Sequence, residues 1–388
     1  MVEVILDGWF GLGARAEELE VKVAEYLGAQ GCVLTNSGSS ANFLVVAGLM
    51  SPLFKDRLHP GDEVITAACG FPTTVNPIIQ QGLVPVFIDV NLGDYNINPA
   101  DLEKALSPKT RAVFLAHTMG NPFDIDPVLE FCQKHNLFLI EDNCDALGSE
   151  YKGRKTGSFG ILSTQSFYPP HHMTMGEGGM INYNDKVFER IIRSLRDWGR
   201  ACYCRGDEKS TLGACKHRFD FKIDGKCIDH KYLFSQIGYN LKPIEPQAAM
   251  GVEQIKRLPD FTKKRKQNFK SMLERAKKWQ KYFILPEATP GSDPSWFAFL
   301  LTIKDGALFD RHEITTYLEE RMIQTRPLFA GNITRQPAYK DINSRVIGDL
   351  KNSSKIMHDT FFTGLYPGME KDQITYISDT IDQFLSQY

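Results

Sequence analysis

The chain is 388 residues long, 42% hydrophobic, 24% charged and 11% aromatic, the composition of a globular protein of two or three domains at about 150 residues each. Lys plus Arg number 45 against 47 for Asp plus Glu, a formal charge of -2, so no general basic field recruits nucleic acid or anionic lipid. No apolar run approaches the roughly 18 residues of a membrane-spanning helix, and the first residues lack the pattern of a signal peptide; a cytoplasmic protein with neither nucleic acid nor membrane as partner is expected.

In chain order, residues 14–27 place Leu19, Val23, Tyr26 and Leu27 on one helical face, with Gly28 as a stop. Short apolar runs at 32–35, 63–67, 84–90, 111–117 and 137–142 then read as buried strands, separated by helical stretches such as 40–50 and 126–136. Residues 161–168 and 178–183 add two more strands. Strands alternating with helices imply an α/β fold with a mostly parallel, covered sheet. From about Pro246 the texture changes. A helical segment, QAAMGVEQIKRL, leads into the basic run KKRKQNFKSMLERAKKWQKY, read as a solvated helix face rather than a docking site for an acidic redox partner. A strand at 296–303 and a terminal helix with Ile374, Ile377, Ile381 and Phe384 in one stripe follow. The expected division is a large domain over 1–245 and a smaller α+β domain over 246–388.

Several segments carry polar chemistry. TNSGSSAN (35–42) lies between a strand and a helix, where Gly38 and Ser39 would offer N–H groups to an anion, or merely cap the helix. No complete Gly-x-Gly-x-x-Gly follows a strand, which weakens a dinucleotide reading. Phe71 in ACGFPTTVNP follows a strand end and could stack on a cofactor ring or fill a core. EDNCD (141–145) puts Asp142 and Asp145 at a strand's carboxyl end, where open α/β sheets bind ligands and where a carboxylate can pair with a protonated pyridine or merely cap a helix. SFYPPHHMTMGEGGM (166–180) sets two histidines before a Gly-rich turn, a pattern that neither strand nor helix packing explains.

The order SGSSAN, GFPTTVNP, EDNCDALG, SFYPPHHMTMGEGG and GYNLKPIEPQAA resembles the sugar-aminotransferase family of vitamin B6 enzymes across nearly the whole chain. The resemblance implies the aspartate-aminotransferase-like fold type I. In that family the position of His171 is normally the lysine that binds pyridoxal phosphate, and no lysine lies between Lys155 and Lys186 here. The chain is therefore similar to the family's deoxygenating branch, the sugar-nucleotide 3-dehydrases, which use pyridoxamine phosphate and a histidine base. The implied reaction is loss of the C3 hydroxyl from a nucleotide-linked 4-keto-6-deoxyhexose, on a route to a deoxysugar of a surface glycan or natural product. By resemblance His171 is the base, with His172 in support. Asp142 pairs with the pyridine nitrogen, Asp145 stands beside it, and Phe71 stacks on the ring. Gly38, Ser39 and Ser166 hold the phosphate, Asn240 reaches it from the partner of a homodimer, and Arg335 binds the nucleotide phosphate.

The eight cysteines divide in the same way. Cys32, Cys69 and Cys132 sit in apolar or small-residue segments and read as buried hydrophobes, whereas the other five crowd between positions 144 and 227. One dehydrase subtype carries a [2Fe–2S] cluster on a cysteine two residues after the pyridine-binding Asp, a Cys-x-Cys pair and one more. Cys144, Cys202, Cys204 and Cys215 resemble that set, with 57 residues between the first two. Ten residues separate Cys204 from Cys215, a longer spacer than the subtype's, which leaves Cys227 open as the fourth ligand. Zinc suits four thiolates as well as iron does. A cluster implies a separate flavin or iron–sulfur reductase. A cluster-free dehydrase recharged by glutamate, a sugar aminotransferase and a non-catalytic relative remain as alternatives.

Overall fold

A computed structural model describes residues 1–201 and 218–388. The cysteines at 202, 204 and 215 lie outside the described residues. The central sheet has eight strands in the order Gly31–Thr35, Gly179–Tyr183, Leu162–Ser166, Phe138–Asp142, Thr110–Ala116, Glu63–Ala67, Val84–Ile88 and Arg345–Val346. The two pairings made by Gly179–Tyr183 are antiparallel and the others are parallel. Alternation along each strand fills two separate cores. Val113 and Leu115 join one with Ile65, Val86 and Phe123, while Ala112 and Phe114 join the other with Leu44, Val64 and Ile140. A sheet buried on both faces is what the continuous apolar runs require.

A second, antiparallel sheet runs Phe283–Ile284, Ala298–Ile303, Thr360–Gly364, Thr325–Pro327. Its core of Phe299, Leu301 and Phe361 packs with Ile314, Ile377, Ile381 and Phe384 from the helices Arg311–Glu319 and Lys371–Leu385. The expected helical segment and the basic run form one helix, Glu245–Ala276. Its first half packs Ala248, Val252, Ile255 and Leu258 against Leu19 and Val23, and its second half puts Phe269 and Met272 into the smaller core.

Among the helices not named from the sequence are Pro72–Gln80 and Val187–Arg196. The later part of the chain also re-enters the large sheet. Arg345–Val346 pairs with Val86 and Phe87, and Ser292–Asp293 pairs with Glu150–Tyr151. No helix among the described residues is long and apolar enough to cross a membrane.

Candidate active site

The carboxyl ends of the central strands and the second sheet enclose a cleft of about 1330 Å³. Gly38, Ser39, Phe71, Asp142, Cys144, Asp145, Ser166 and His171, expected from four separate segments, all line it. The structure brings these residues together; His172, Asn240 and Arg335 are not among the cleft's lining residues.

The helix Gly38–Leu49 begins at the cleft, with Ser37 as its cap accepting from the Ser40 N–H. A Cβ on Gly38 would lie 2.5 Å from the Cβ of Ser166 and 3.1 Å from Cys144 Sγ, so only glycine fits between the helix start and the strand Leu162–Ser166. Gly38, Ser39 and Ser40 line the cleft at this helix start, a natural seat for a phosphate. Phe71 caps the next helix and leaves its ring 50% exposed, edge-on to Phe329 at 5.8 Å between centroids.

Asp142 ends the strand Phe138–Asp142 and is buried. Asn42 Nδ2 and Thr74 Oγ1 donate to its Oδ2 at 2.8 and 2.7 Å, and the Cys144 N–H donates to Oδ1 at 3.2 Å. Thr164 in turn donates to Asn42 Oδ1 at 2.6 Å. These partners hold the carboxylate at the carboxyl end of a central strand while Oδ1 keeps acceptor capacity for a ring N–H. Asp145, one residue past Cys144, is pushed up to about 7 by burial first and by the Asp142 charge second.

His171 sits in the connection between two strands. Its backbone N–H donates to the Tyr168 carbonyl, and Met173 and Met175 anchor the loop in the core beneath. Its Nδ1 lies 3.4 Å from Asp145 Oδ1 and its ring packs on Phe297 at 5.4 Å. Burial pushes the imidazole down to about 4, so it is neutral at physiological pH, the form a general base requires.

His172, expected in support of His171, does not line the cleft. Its side chain is fully buried behind His171, with Nε2 2.5 Å from the Ser295 carbonyl oxygen. It braces the site without reaching the cleft. Arg335 is exposed on a short turn outside the cleft, and the arginine that does line it is Arg326, on the strand Thr325–Pro327. Arg335 stays outside the lining that its neighbours Gln336 and Pro337 join, whereas the second sheet's strand delivers Arg326. Asn240 is exposed and bridges to Asp197 outside its own chain's cleft. Cys227 lies exposed on a two-stranded hairpin, its Sγ 2.5 Å from the Phe219 carbonyl oxygen. Among the described residues no group of three or more His, Cys, Asp or Glu is arranged to hold a metal ion.

Asn42 and Thr74 lie inside two of the quoted motifs but are not among the expected site residues. A lone Asn among the apolar residues of 41–49 was the available signal for the first. Arg326, Phe297 and Phe329 carry no local signature.

The anion seat, the ring-facing Phe71 and the buried carboxylate fit a pyridoxal or pyridoxamine phosphate, and with the mixed sheet they define a vitamin B6 enzyme of fold type I. The chain matches the DegT/DnrJ/EryC1/StrS aminotransferase family over residues 1–382 and belongs to it. It is 46% identical over 390 residues to dTDP-4-dehydro-2,6-dideoxy-D-glucose 3-dehydratase of Saccharopolyspora spinosa, covering 100% of this chain and 84% of the relative. It is 45% identical to lipopolysaccharide biosynthesis protein RfbH of Salmonella typhimurium, over 99% of this chain and 88% of the relative. Among solved structures, a variant of GDP-4-keto-6-deoxymannose-3-dehydratase with bound GDP-perosamine superimposes with a TM-score of 0.87 at 27% identity, covering 97% of this chain and 95% of that one.

Proposed function

We propose that this chain is a pyridoxamine-phosphate-dependent sugar-nucleotide 3-dehydratase that removes the C3 hydroxyl of a nucleotide-linked 4-keto-6-deoxyhexose. The observation that carries the reading is His171 in a cleft with no lysine among its described lining residues. A lysine would tether the aldehyde cofactor covalently and favour amino transfer. A histidine leaves the aminated cofactor free to meet a sugar ketone.

When bound, the cofactor supplies an amine for the C4 ketone and a protonated ring that draws electrons from its C4′ carbon. Asp142 holds the proton on the ring nitrogen, with Asn42 and Thr74 fixing its carboxylate. The N–H groups at Gly38 and Ser39, with Ser166, take the phosphate. His171 would take the C4′ proton for loss of the C3 hydroxyl, and Tyr168 and Phe297 flank its ring. Arg326 is the cationic side chain placed to meet the nucleotide's phosphates.

The reading includes a [2Fe–2S] cluster on Cys144, Cys202, Cys204 and either Cys215 or Cys227, fed by a separate flavin or iron–sulfur reductase. Cys144 lines the cleft with its Sγ beside Gly38, which supports a cluster close enough to pass single electrons to the site. A homodimer with shared sites is supported by Asn240 lying exposed near Tyr232 and Ile237, which are 70% and 91% exposed. A cytoplasmic location goes with a nucleotide-linked substrate and reduced thiols.

One observation favours a second reading, the cluster-free dehydratase recharged by glutamate. A solved GDP-4-keto-6-deoxymannose-3-dehydratase holding a trapped PLP-glutamate geminal diamine superimposes with a TM-score of 0.86 at 26% identity. Iron and acid-labile sulfide on anaerobically purified protein decide between them. About two of each per chain, with visible bands that bleach on reduction, support the cluster. No iron after attempted reconstitution, with glutamate-dependent turnover, selects the second reading.

A further inference from the structure

Arg265 lies in the middle of the helix Glu245–Ala276 and is 2% exposed. Its guanidinium reaches no carboxylate by hydrogen bond. Instead Nη2 donates to the Pro170 carbonyl at 3.3 Å, and Nη1 donates to the carbonyls of Trp296, Phe297 and Leu365 at 3.3, 3.1 and 2.6 Å. One side chain thus ties three segments from both sheets. The Pro170 carbonyl belongs to the peptide plane that leads into His171. Phe297 supplies the ring against which His171 packs, and its own N–H donates to the Met119 carbonyl at 2.9 Å. The neighbouring His172 is tied to the same segment through Ser295.

Burying a guanidinium with no hydrogen-bonded carboxylate among the described residues is expensive, the charge of Asp145 only partly offsetting the burial, and this helix fills several of its other core positions with apolar residues such as Phe269 and Met272. The planar fork is suited to holding several carbonyls in fixed directions at once. We propose that Arg265 is the positioning residue of this site, setting the peptide plane before His171 and the Phe297 ring behind it so that the imidazole meets the cofactor's C4′ carbon. The proposal rests on the reading of His171 as the base.

The test compares Arg265→Met and Arg265→Lys with Arg275→Met, a control on the same helix whose arginine bonds Thr375 and Ser378 away from the cleft. Three quantities are read: amide hydrogen exchange of segments 168–174 and 294–298 in cofactor-free protein, the Kd for pyridoxamine phosphate, and solvent deuterium wash-in at its C4′ carbon. In Arg265→Met we expect faster amide exchange in both segments, a Kd within about threefold of the parent, and C4′ exchange slowed about 100-fold, the scale of a small misplacement of reacting groups. Arg265→Lys moves the same way, because a single ammonium cannot span four carbonyls. Arg275→Met lowers the melting temperature and leaves C4′ exchange unchanged. Parental C4′ exchange in either folded Arg265 variant overturns the proposal, as does an equal loss in the control. A Kd that weakens as much as the rate also overturns it, since Arg265 would then serve cofactor binding. If Arg265→Met does not fold, Arg265→Lys decides by the same criteria. Absence of C4′ exchange in the parent protein defeats the reading of His171, while the amide exchange still tests the placement of Arg265.

Discussion

At His171 the difference between a lysine and a histidine is a difference in whether the cofactor can be tethered. His171→Lys should therefore acquire a borohydride-reducible covalent bond to pyridoxal phosphate, seen by mass spectrometry of the reduced protein; no adduct would show that this side chain does not face the cofactor's aldehyde carbon. Gly38 is held to glycine by its neighbours. Gly38→Ala forces a methyl group against Ser166 and should cost about 1–3 kcal/mol of stability, with a weaker Kd for pyridoxamine phosphate. A parental Kd would move the phosphate seat elsewhere. Glu141, fully buried, illustrates a charge kept for architecture. Burial disfavours its ionised form, yet the hydrogen bond and charge of His117 and the N–H groups of Gly160 and Gly157 outweigh it, leaving the carboxyl below its ordinary 4.5. A depressed folded value means its stabilisation is present above about 4.5 and lost as pH falls through the folded value. The stability gap between the parent and Glu141→Gln, followed by urea unfolding, should be widest near neutral pH and narrow on acidification. A gap that widens in acid contradicts this account.

Elements here are finished by residues far away in the chain. The helix Ala14–Leu27 starts at Gly13, which has no side chain to cap it. Glu245, at the start of the long helix, accepts instead from the N–H groups of Gly13, Arg15 and Ala16 at 2.7, 2.6 and 3.3 Å. Glu245→Ala should cost about 1–3 kcal/mol by leaving those donors unmet, read as a lower urea midpoint. A loss below about 0.5 kcal/mol would mean water replaces the carboxylate. The same lesson applies to the basic run, whose lysines and arginines look like a uniform solvated face. Arg265 is turned inward by the register of the helix while Lys264 and Lys266 meet surface carboxylates of Glu370 and Asp293.

For the molecule as a whole, a shared site makes a quantitative expectation. If Asn240 serves the partner's cofactor, mixing His171→Asn and Asn240→Ala subunits rebuilds one intact site per mixed dimer, roughly a quarter of parental activity by the statistics of mixing. Recovery no greater than the sum of the two variants alone would place Asn240 outside the site. Cys202→Ala should abolish the iron content while leaving the Kd for pyridoxamine phosphate intact; joint loss of both would mark the metal as a scaffold for the fold.

The strand–helix alternation, the doubly covered sheet and the segments around Gly38, Phe71, Asp142 and His171 were readable because each is local. Burial on both faces imposes continuous apolar runs, and a cofactor seat at strand ends imposes short polar motifs at those ends. The histidine at 171, where the family resemblance implies a lysine, is equally read from the chain. Tertiary structure decided the rest. It put Arg326 rather than Arg335 in the cleft, buried His172 behind its neighbour, and selected Arg265 from a run of similar cations. None of these leaves a mark on periodicity, because each depends on where two sheets and one long helix converge, and residue 265 meets residue 170 only across that junction.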